Sequence, residues 1–509
     1  MAIPSTILAV KRPRNTFVVA YGKDKNLYGV RLYVGCRREG KRNIPIKGPT
    51  IGHIRDGRYI PTGEDPAFAP TPPPTVELRD WANAELCDRL FADILGDLEV
   101  EYPPDMALKI WSVAVLRVCN RGANDYELKA MYDESFLSVL RPGAALSKNT
   151  VSELHRDVGR TFTRIVRFMR RRAEAIGADA SVLLDGTLKS NESKVNSLSD
   201  FSRKAKTKGT RDISVLYAFD LDRMEPVCSK CYPGNMLDVT AYEDFISECG
   251  VKRGVLVADK GFPESAARGH ISANPDLHYL NPIRRNATFI RTHRMLEFEG
   301  VLPDRDGVSF RKAKVSGKDK WLYSFRDAAR AAAEERGWLA RAKEAGYDHA
   351  EYEEARRSFG TIVLECDLDL DPGKVYKMYE ERWEIEIVMR YYKSACEFDE
   401  TRVHGDYSVI GSEFCDFLAS VLTFRLIKAF DKAGLLKKMN YSRIMSLLKR
   451  AKKVRVGEDG DWRLVRINPK LEKMLAALGL MPSADIPQRW KPGRPIKLLK
   501  WPPAPAFSA

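Results

Sequence analysis

Three carboxylates occupy positions from which acids can do chemistry. Asp185 follows the apolar run Ser181-Val182-Leu183-Leu184, and Asp259 follows Val255-Leu256-Val257-Ala258. Glu386 lies inside residues 371–400, DPGKVYKMYEERWEIEIVMRYYKSACEFDE. An aspartate that closes a strand is, alone, an ordinary turn or cap residue. Together, hard oxygen ligands on three separate elements suit two divalent cations, Mg2+ or Mn2+, about 3.5–4 Å apart. Such a pair activates water or a 3′-hydroxyl and stabilises the leaving oxygen of an in-line phosphoryl transfer, without a covalent enzyme intermediate.

The element that must present Glu386 is a helix. Asp371 is a good N-cap, Pro372 suits the first helical position, and no glycine after Gly373 interrupts the run. At about 100° per residue, Tyr379, Arg382, Glu386 and Lys393 fall within an arc of roughly 60°, with Arg390 beside them. Val388, Tyr391, Tyr392, Ala395 and Ile385 take the opposite, inward side. On spacing alone that polar column is a solvated amphipathic face.

The 509 residues contain 84 Lys and Arg against 69 Asp and Glu, a net charge of +15. That excess favours a polyanionic partner, nucleic acid before a membrane surface. An apolar content of 44% with 30% charged residues is globular, not disordered. Nine scattered cysteines read as free thiols in a reducing compartment, and the Cys228-x2-Cys231 pair has no second pair at zinc spacing. No apolar run reaches the ~18 residues of a membrane span, and no signal peptide is evident, so the reading is a soluble, cytoplasmic protein.

Along the chain, residues 1–60 are β-rich and basic, with a hairpin of 16–21 and 27–34 and the tract Arg37-Arg38-Glu39-Gly40-Lys41-Arg42. Taken singly, that tract is a solvated loop. The proline-rich residues 61–76 form a linker. Residues 77–180 are helical, with helices over 106–119 and 126–140. Residues 146–156 form a short helix capped by Thr150 with Glu153, or by Ser147. With Lys148, Asn149, Ser152, His155 and Arg156 outward it could read DNA as a helix-turn-helix. Arg164, Arg167, Arg170, Arg171 and Arg172 make a further basic face.

Residues 181–284 change texture, with strands at 181–184, 213–219, 226–232, 255–258 and 278–283 and a helix at 239–249, the pattern of a mixed sheet with helices on its faces. Residues 285–370 interrupt that alternation, with strands at 288–290, 307–312, 321–325 and 360–367 and a helix at 326–346. After the 371–400 helix come an apolar helix at 414–430, a basic one at 441–453 and a strand at 462–467. Residues 481–509 form a basic, proline-rich tail whose Gly493-Arg494-Pro495 is shared with minor-groove hook peptides. Arg203–Lys208, a run just past the first strand, reads equally as a grip on flanking DNA and as a solvated loop.

Four motifs in order then resemble bacterial insertion-sequence transposases of the DDE type, in the superfamily of insertion-sequence family four. Tyr379-x2-Arg382-x3-Glu386-x6-Lys393 is similar to that family's Y-R-E-K signature. Asp185-Gly186-Thr187 resembles its first aspartate motif, Asp259-Lys260-Gly261-Phe262 its second, and Pro233-Gly234-Asn235-x2-Asp238 a segment between them. The resemblance covers residues 181–430. It implies an α/β fold, an RNase H-like (retroviral-integrase-like) catalytic core in two parts, 181–284 and 371–430. A mainly β insertion at 285–370 would separate them, a β-hairpin segment and a helical DNA-binding region would precede them, and a C-terminal region at 431–480 would follow. It implies that Asp185, Asp259 and Glu386 bind two Mg2+ or Mn2+ ions, and that Tyr379, Arg382 and Lys393 hold phosphates of the element ends. The implied partners are the terminal inverted repeats and target DNA, engaged by a homodimer. Some relatives stack a flipped base on a tryptophan of the insertion, for which Trp321 and Trp338 are the candidates. A catalytically inactive DNA-binding descendant and a general nuclease on the same fold are the alternatives. Intact carboxylates speak against the first, and the Y-R-E-K column with the separate helical region speaks against the second.

Overall fold

The computed structural model describes residues 3–20, 27–40, 42–63, 75–202, 209–236, 238–258, 264–382, 385 and 400–481. The chain divides into two compact units, one of residues 1–77 with 455–461, the other of residues 78–454 with 462–509.

In the first unit a short helix, α1 (Ser5–Leu8), precedes the strands β1 (Thr16–Ala20), β2 (Leu27–Glu39), β3 (Arg42–Arg55) and β4 (Arg58–Pro61). They form one antiparallel sheet in sequence order. Its small core is Val18, Tyr28, Val30 and Ile54, with Ile3, Ile7, Val10, Ile51 and Tyr59 packed against them. The expected hairpin is present, its 21–26 turn lying outside the described residues. Of the basic tract, Arg37, Arg38, Glu39 and Arg42 lie in paired strands of a second, longer hairpin, β2 with β3, instead of a loop, and Lys41 lies outside the described residues.

β5 (Val76–Asp80) runs across the boundary at residues 77 and 78 and leads, in the second unit, into α2 (Ala82–Glu101) and α3 (Pro104–Cys119). The helix expected over 126–140 is two pieces, α4 (Leu128–Glu134) and α5 (Leu137–Leu140). Between them Ser135 leaves helical geometry and bridges to Asp80. Next are α6 (Lys148–Arg160) and α7 (Phe162–Glu174). Ser147 caps α6 by accepting from the Thr150 amide at 3.3 Å, so the helix starts one turn before the Thr150–Glu153 alternative.

The central feature is a ten-stranded mixed sheet. Its strands are β6 (Ser181–Ser190), β7 (Asp200–Phe201), β8 (Arg211–Asp220), β9 (Glu225–Pro233), β10 (Gly254–Ala258), β11 (Leu277–Ile283), β12 (Gly300–Val301), β13 (Val308–Lys314), β14 (Trp321–Asp327) and β15 (Thr361–Cys366). The order is β12-β13-β14-β15-β11-β10-β6-β8-β7, with β9 on β8. Among the described strand pairs of this sheet, β6–β10 and β10–β11 are parallel and the rest antiparallel. The parallel strands connect through α8 (Asp238–Cys249) and α9 (Glu264–Ala273), as parallel pairing requires.

Residues 285–370 differ from the expected mainly β insertion. They contain α10 (Thr288–Thr292), where a strand was expected, α11 (Ala328–Ala345) and α12 (His349–Arg356) as well as strands. Those strands continue the central sheet, because β15 pairs antiparallel with β11 and β14 with β15. A three-residue run such as Thr288-Phe289-Ile290 carries too little periodicity to separate strand from helix.

Helix α13 (residues 372–382) follows, then α14 (Asp406–Lys432), buried around its circumference from Val409 to Leu426. A helix apolar on every side belongs inside a core. α14 crosses α6 with backbones almost touching, since a Cβ at Gly411 would lie 1.9 Å from the His155 carbonyl oxygen, and one at Gly159 1.8 Å from that of Tyr407. The chain ends in α15 (Tyr441–Leu448), β16 (Lys452–Val456), β17 (Arg463–Leu464) and α16 (Pro469–Ala477). No described helix is long and apolar enough to cross a membrane.

Candidate functional site

β6 carries Asp185 through the middle of the sheet. Val182, Leu183 and Leu184 are fully buried, and Ala258 of β10 stands in register with Leu184. The last described residue of β10 therefore lies beside the residue before Asp185, and its direction is that of β6. In open α/β sheets the crevice beyond such strand ends is where ligands bind. Asp259 is next in sequence after Ala258 and lies outside the described residues. β6 itself does not end at Asp185, as the apolar run suggested, but continues to Ser190 against β8, with Asp185 opposite Tyr217. Asp185 is half-buried, and its Oδ1 accepts from the Gly186 amide at 2.9 Å.

α13 starts as its sequence demands. Asp371 Oδ1 accepts from the amides of Gly373 at 2.8 Å and Lys374 at 3.2 Å, capping the first turn. Val375, Tyr376, Met378, Tyr379 and Ile385 are buried. Ile385 was expected inward and is; Tyr379 was expected on the polar side and is only 6% exposed. The apolar stripe is wider than the angular count allowed, because Tyr376 and Tyr379 join it, Tyr376 with its ring 5.0 Å from that of Phe325. The Tyr379 hydroxyl lies 3.4 Å from Arg330 Nη1 on α11, and the Arg382 guanidinium stands over its ring at 5.5 Å. Tyr379 and Arg330, with Arg305, Asp327 and Glu380, line a cavity of about 520 Å3. Arg305 and Glu380 pair across it at 2.7 Å. Glu386 and Lys393 lie outside the described residues, as does the 203–208 basic run.

Behind Asp185, on the same face of β6, the alternation places Thr187 and Lys189, both buried. Lys189 is 1% exposed, with its Nζ 2.6 Å from Glu413 and 2.8 Å from Asp416 of α14. Asp416 also accepts from Arg117 of α3 at 2.7 Å, and Arg117 reaches Asp125 at 3.0 Å. His155 of α6 adjoins both, 3.4 Å from Arg117 Nη2 and 3.4 Å from Asp125. Burial opposes the charge on Lys189, but the two carboxylates more than offset this and raise its pKa. Burial raises the pKa of Glu413, which shares that single ammonium with Asp416. Burial, reinforced by Arg117, pushes the His155 pKa down to about 4, so the ring is neutral near pH 7.

His155 was expected to face outward with the reading residues and is instead fully buried. Lys148, Asn149, Ser152 and Arg156 are exposed, as the helical pattern predicts. The basic face of α7 is committed internally. Arg167 and Arg171 pair with Glu101 at 2.7 and 3.0 Å, Arg172 with Glu225 at 2.6 Å, and Arg164 and Arg170 donate to the carbonyls of Glu101 and Glu248. The Pro233–Asp238 motif serves close packing, since a Cβ at Gly234 would stand 2.2 Å from the Asp212 carbonyl oxygen and Asn235 donates to Asp200 at 2.7 Å. Trp321 lies beside Lys312 and Lys314, at 4.8 and 5.5 Å, and Trp338 packs on Tyr347 and Tyr352. Cys228 and Cys231 are free thiols. Among the described residues no group of three or more His, Cys, Asp or Glu could hold a metal.

Residues 180–409 match the family described as the transposase DDE domain. That match indicates a DDE transposase, an enzyme class that acts on DNA and generally uses divalent metal ions. No curated protein sequence matches the chain. Among solved structures, the cryo-EM synaptic complex of the piggyBac transposase with hairpin DNA is similar over 72% of this chain and 79% of that one, at 12% identity. The TM-score of 0.37 is too low for an argument to rest on that likeness.

Proposed function

We propose that this is an insertion-sequence transposase with an RNase H-like core and the Y-R-E-K signature, binding terminal inverted repeats, cleaving element ends and joining their 3′-OH termini to target DNA. Asp185, Asp259 and Glu386 are its catalytic acids. The observation that carries the reading is the position of Asp185, on an interior strand of the sheet, one residue past the register partner of Ala258 on parallel β10. The donor chemistry fits a hard cation, since Asp185 is half-buried and offers carboxylate oxygen at that crevice. Bound by the three acids, two Mg2+ or Mn2+ ions would activate the attacking oxygen and stabilise the leaving one.

The chain's own residues have separate tasks in this reading. Arg382 and Lys393 hold end phosphates by charge, and Tyr379 adds its hydroxyl. Because Tyr379 is buried beside Arg330, its approach to DNA is through the cavity it lines and not across an open helix face. Exposed Lys148, Asn149, Ser152 and Arg156 of α6 contact the repeats. Two copies assemble on paired ends. The test is Glu386→Gln in a Mg2+-dependent end-cleavage and strand-transfer assay. Cleavage is lost while end binding persists; full cleavage by the variant would remove Glu386 from the catalytic acids.

A further inference from the structure

The first unit contains a feature that the DDE domain does not account for. Beyond the small core at the base of its sheet, β2 and β3 continue as a two-stranded ribbon through the pairs Tyr33↔Lys47, Gly35↔Ile46, Cys36↔Pro45, Arg37↔Ile44, Arg38↔Asn43 and Glu39↔Arg42. None of these residues belongs to a hydrophobic core cluster. At ~3.3 Å per residue the ribbon from Tyr33 to Glu39 extends about 20 Å. A lone two-stranded ribbon is marginal in water, so seven residues of strand that bury little serve something outside their own sheet.

The two faces of the ribbon differ in chemistry. Register places Arg38 opposite Asn43, Cys36 opposite Pro45 and Tyr33 opposite Lys47, and alternation along β3 puts residues 43, 45 and 47 on one side. Tyr33, Cys36, Arg38, Asn43 and Lys47 therefore share one face, all exposed, with no acidic residue among them. The other face carries Arg37, paired with Glu39 at 3.1 Å, Arg42 opposite Glu39, and the apolar Ile44 and Ile46, so an acidic residue and two isoleucines stand among its basic ones. Three irregularities in register, between Val30 and Gly35, fall where the ribbon leaves its sheet, and bulges of that kind bend and coil a strand pair. A coiled two-stranded ribbon fits the major groove of duplex DNA, where arginine and lysine neutralise phosphates on any sequence and arginine and asparagine also suit guanine and adenine edges.

We infer that this ribbon is a second DNA-binding element, docking its Tyr33–Arg38–Asn43–Lys47 face into a groove of duplex DNA. It rests on the transposase reading only in taking DNA as the partner. The first unit supplies a chemistry suited to this, with 13 Lys and Arg against 6 Asp and Glu within residues 1–77.

The experiment compares full-length chains binding a fluorescent random-sequence duplex across a salt series. Arg38→Ala with Lys47→Ala lowers the slope of log K against log salt by about two, at ~0.9 for each phosphate no longer neutralised. Arg37→Ala, on the opposite face, leaves the slope unchanged. An equal effect from both faces, or from neither, overturns the proposal. In the unmutated chain, the exposed Cys36 thiol exchanges with a duplex whose major-groove tether carries an activated mixed disulfide, forming the protein–DNA disulfide and releasing the tether's leaving thiol, and Cys36→Ser abolishes it; absence of that product also overturns the proposal. A chain that cleaves element ends but fails these tests refutes the ribbon alone. A chain that binds no DNA under any condition refutes both readings.

Discussion

Replacing Lys189 by methionine tests whether the strand that bears Asp185 is clamped by charge. Methionine fills much the same volume, so packing is conserved while the ammonium between Glu413 and Asp416 is removed. Asp416 keeps Arg117 at 2.7 Å, and Glu413 keeps only the Thr401 hydroxyl among its described partners besides Lys189. Removing one member of a buried pair costs about 3–5 kcal/mol, because the other is left as an uncompensated charge. Glu413 is already inclined to hold a proton, which sets the expected loss near the lower end, about 3 kcal/mol. Its folded pKa in the variant lies above the unfolded one, so the folded state binds more protons and the loss grows as pH rises above about 4.5. Urea unfolding of the full chain, followed by tryptophan fluorescence at pH 5.5 and 8, reads both terms. Adding Glu413→Gln to Lys189→Met recovers about 1 kcal/mol or more, since no stranded charge then remains. A loss under about 1 kcal/mol, or no recovery, would refute the clamp.

Two further outcomes follow from the same region. His155 is neutral in the fold with a pKa near 4, so between about pH 6.5 and 4 only the unfolded chain takes up its proton. Its contribution is complete above that window and is lost as pH falls through it, by about 1.4 kcal/mol per pH unit. His155→Gln removes this part of the slope in a pH series of unfolding free energies, and an unaltered slope contradicts the assignment. Gly411→Ala sets a methyl 1.9 Å from the His155 carbonyl oxygen and must part α6 from α14, costing about 1–3 kcal/mol in a thermal melt. An unchanged melting temperature would show that the two helices are not held at that distance.

The fold is legible in the sequence wherever one local rule governs an element. Apolar runs mark β6, β8, β9 and β10, and Asp371 with Pro372 marks the start of α13. Legibility ends where partners are remote. β13 to β15 read as part of an interruption because nothing local says that β15 pairs with β11, some 80 residues earlier. Angular spacing puts Tyr379 in the polar column because a phenol is ambiguous between water and core. Only the position of Phe325 and Arg330, on elements outside the helix, turns it inward.

Asp185 and Asp259 stand out because a carboxylate directly after an apolar run is conspicuous, whereas the residues that steady the strand of Asp185 do not. Lys189 sits four residues after Asp185 at a position where alternation predicts burial, and a lysine there reads as the end of a strand. Its partners Glu413 and Asp416 lie more than 220 residues later, inside an apolar helix where isolated acids look like interruptions. The usable signal is the coincidence of two misfits, one cation at an inward strand position and two anions on one face of a buried helix, since neither is stable without the other. The same reasoning explains His155. Its neighbours on α6 face outward, but a ring on the Val151, Leu154 and Val158 side of the helix points at Arg117 and is held neutral there. Through Arg117 and Asp416 the buried side of α6 is tied to the strand that carries Asp185. A change at the exposed side of α6 therefore has a route of direct contacts to β6, and Lys189→Met removes the last link in it.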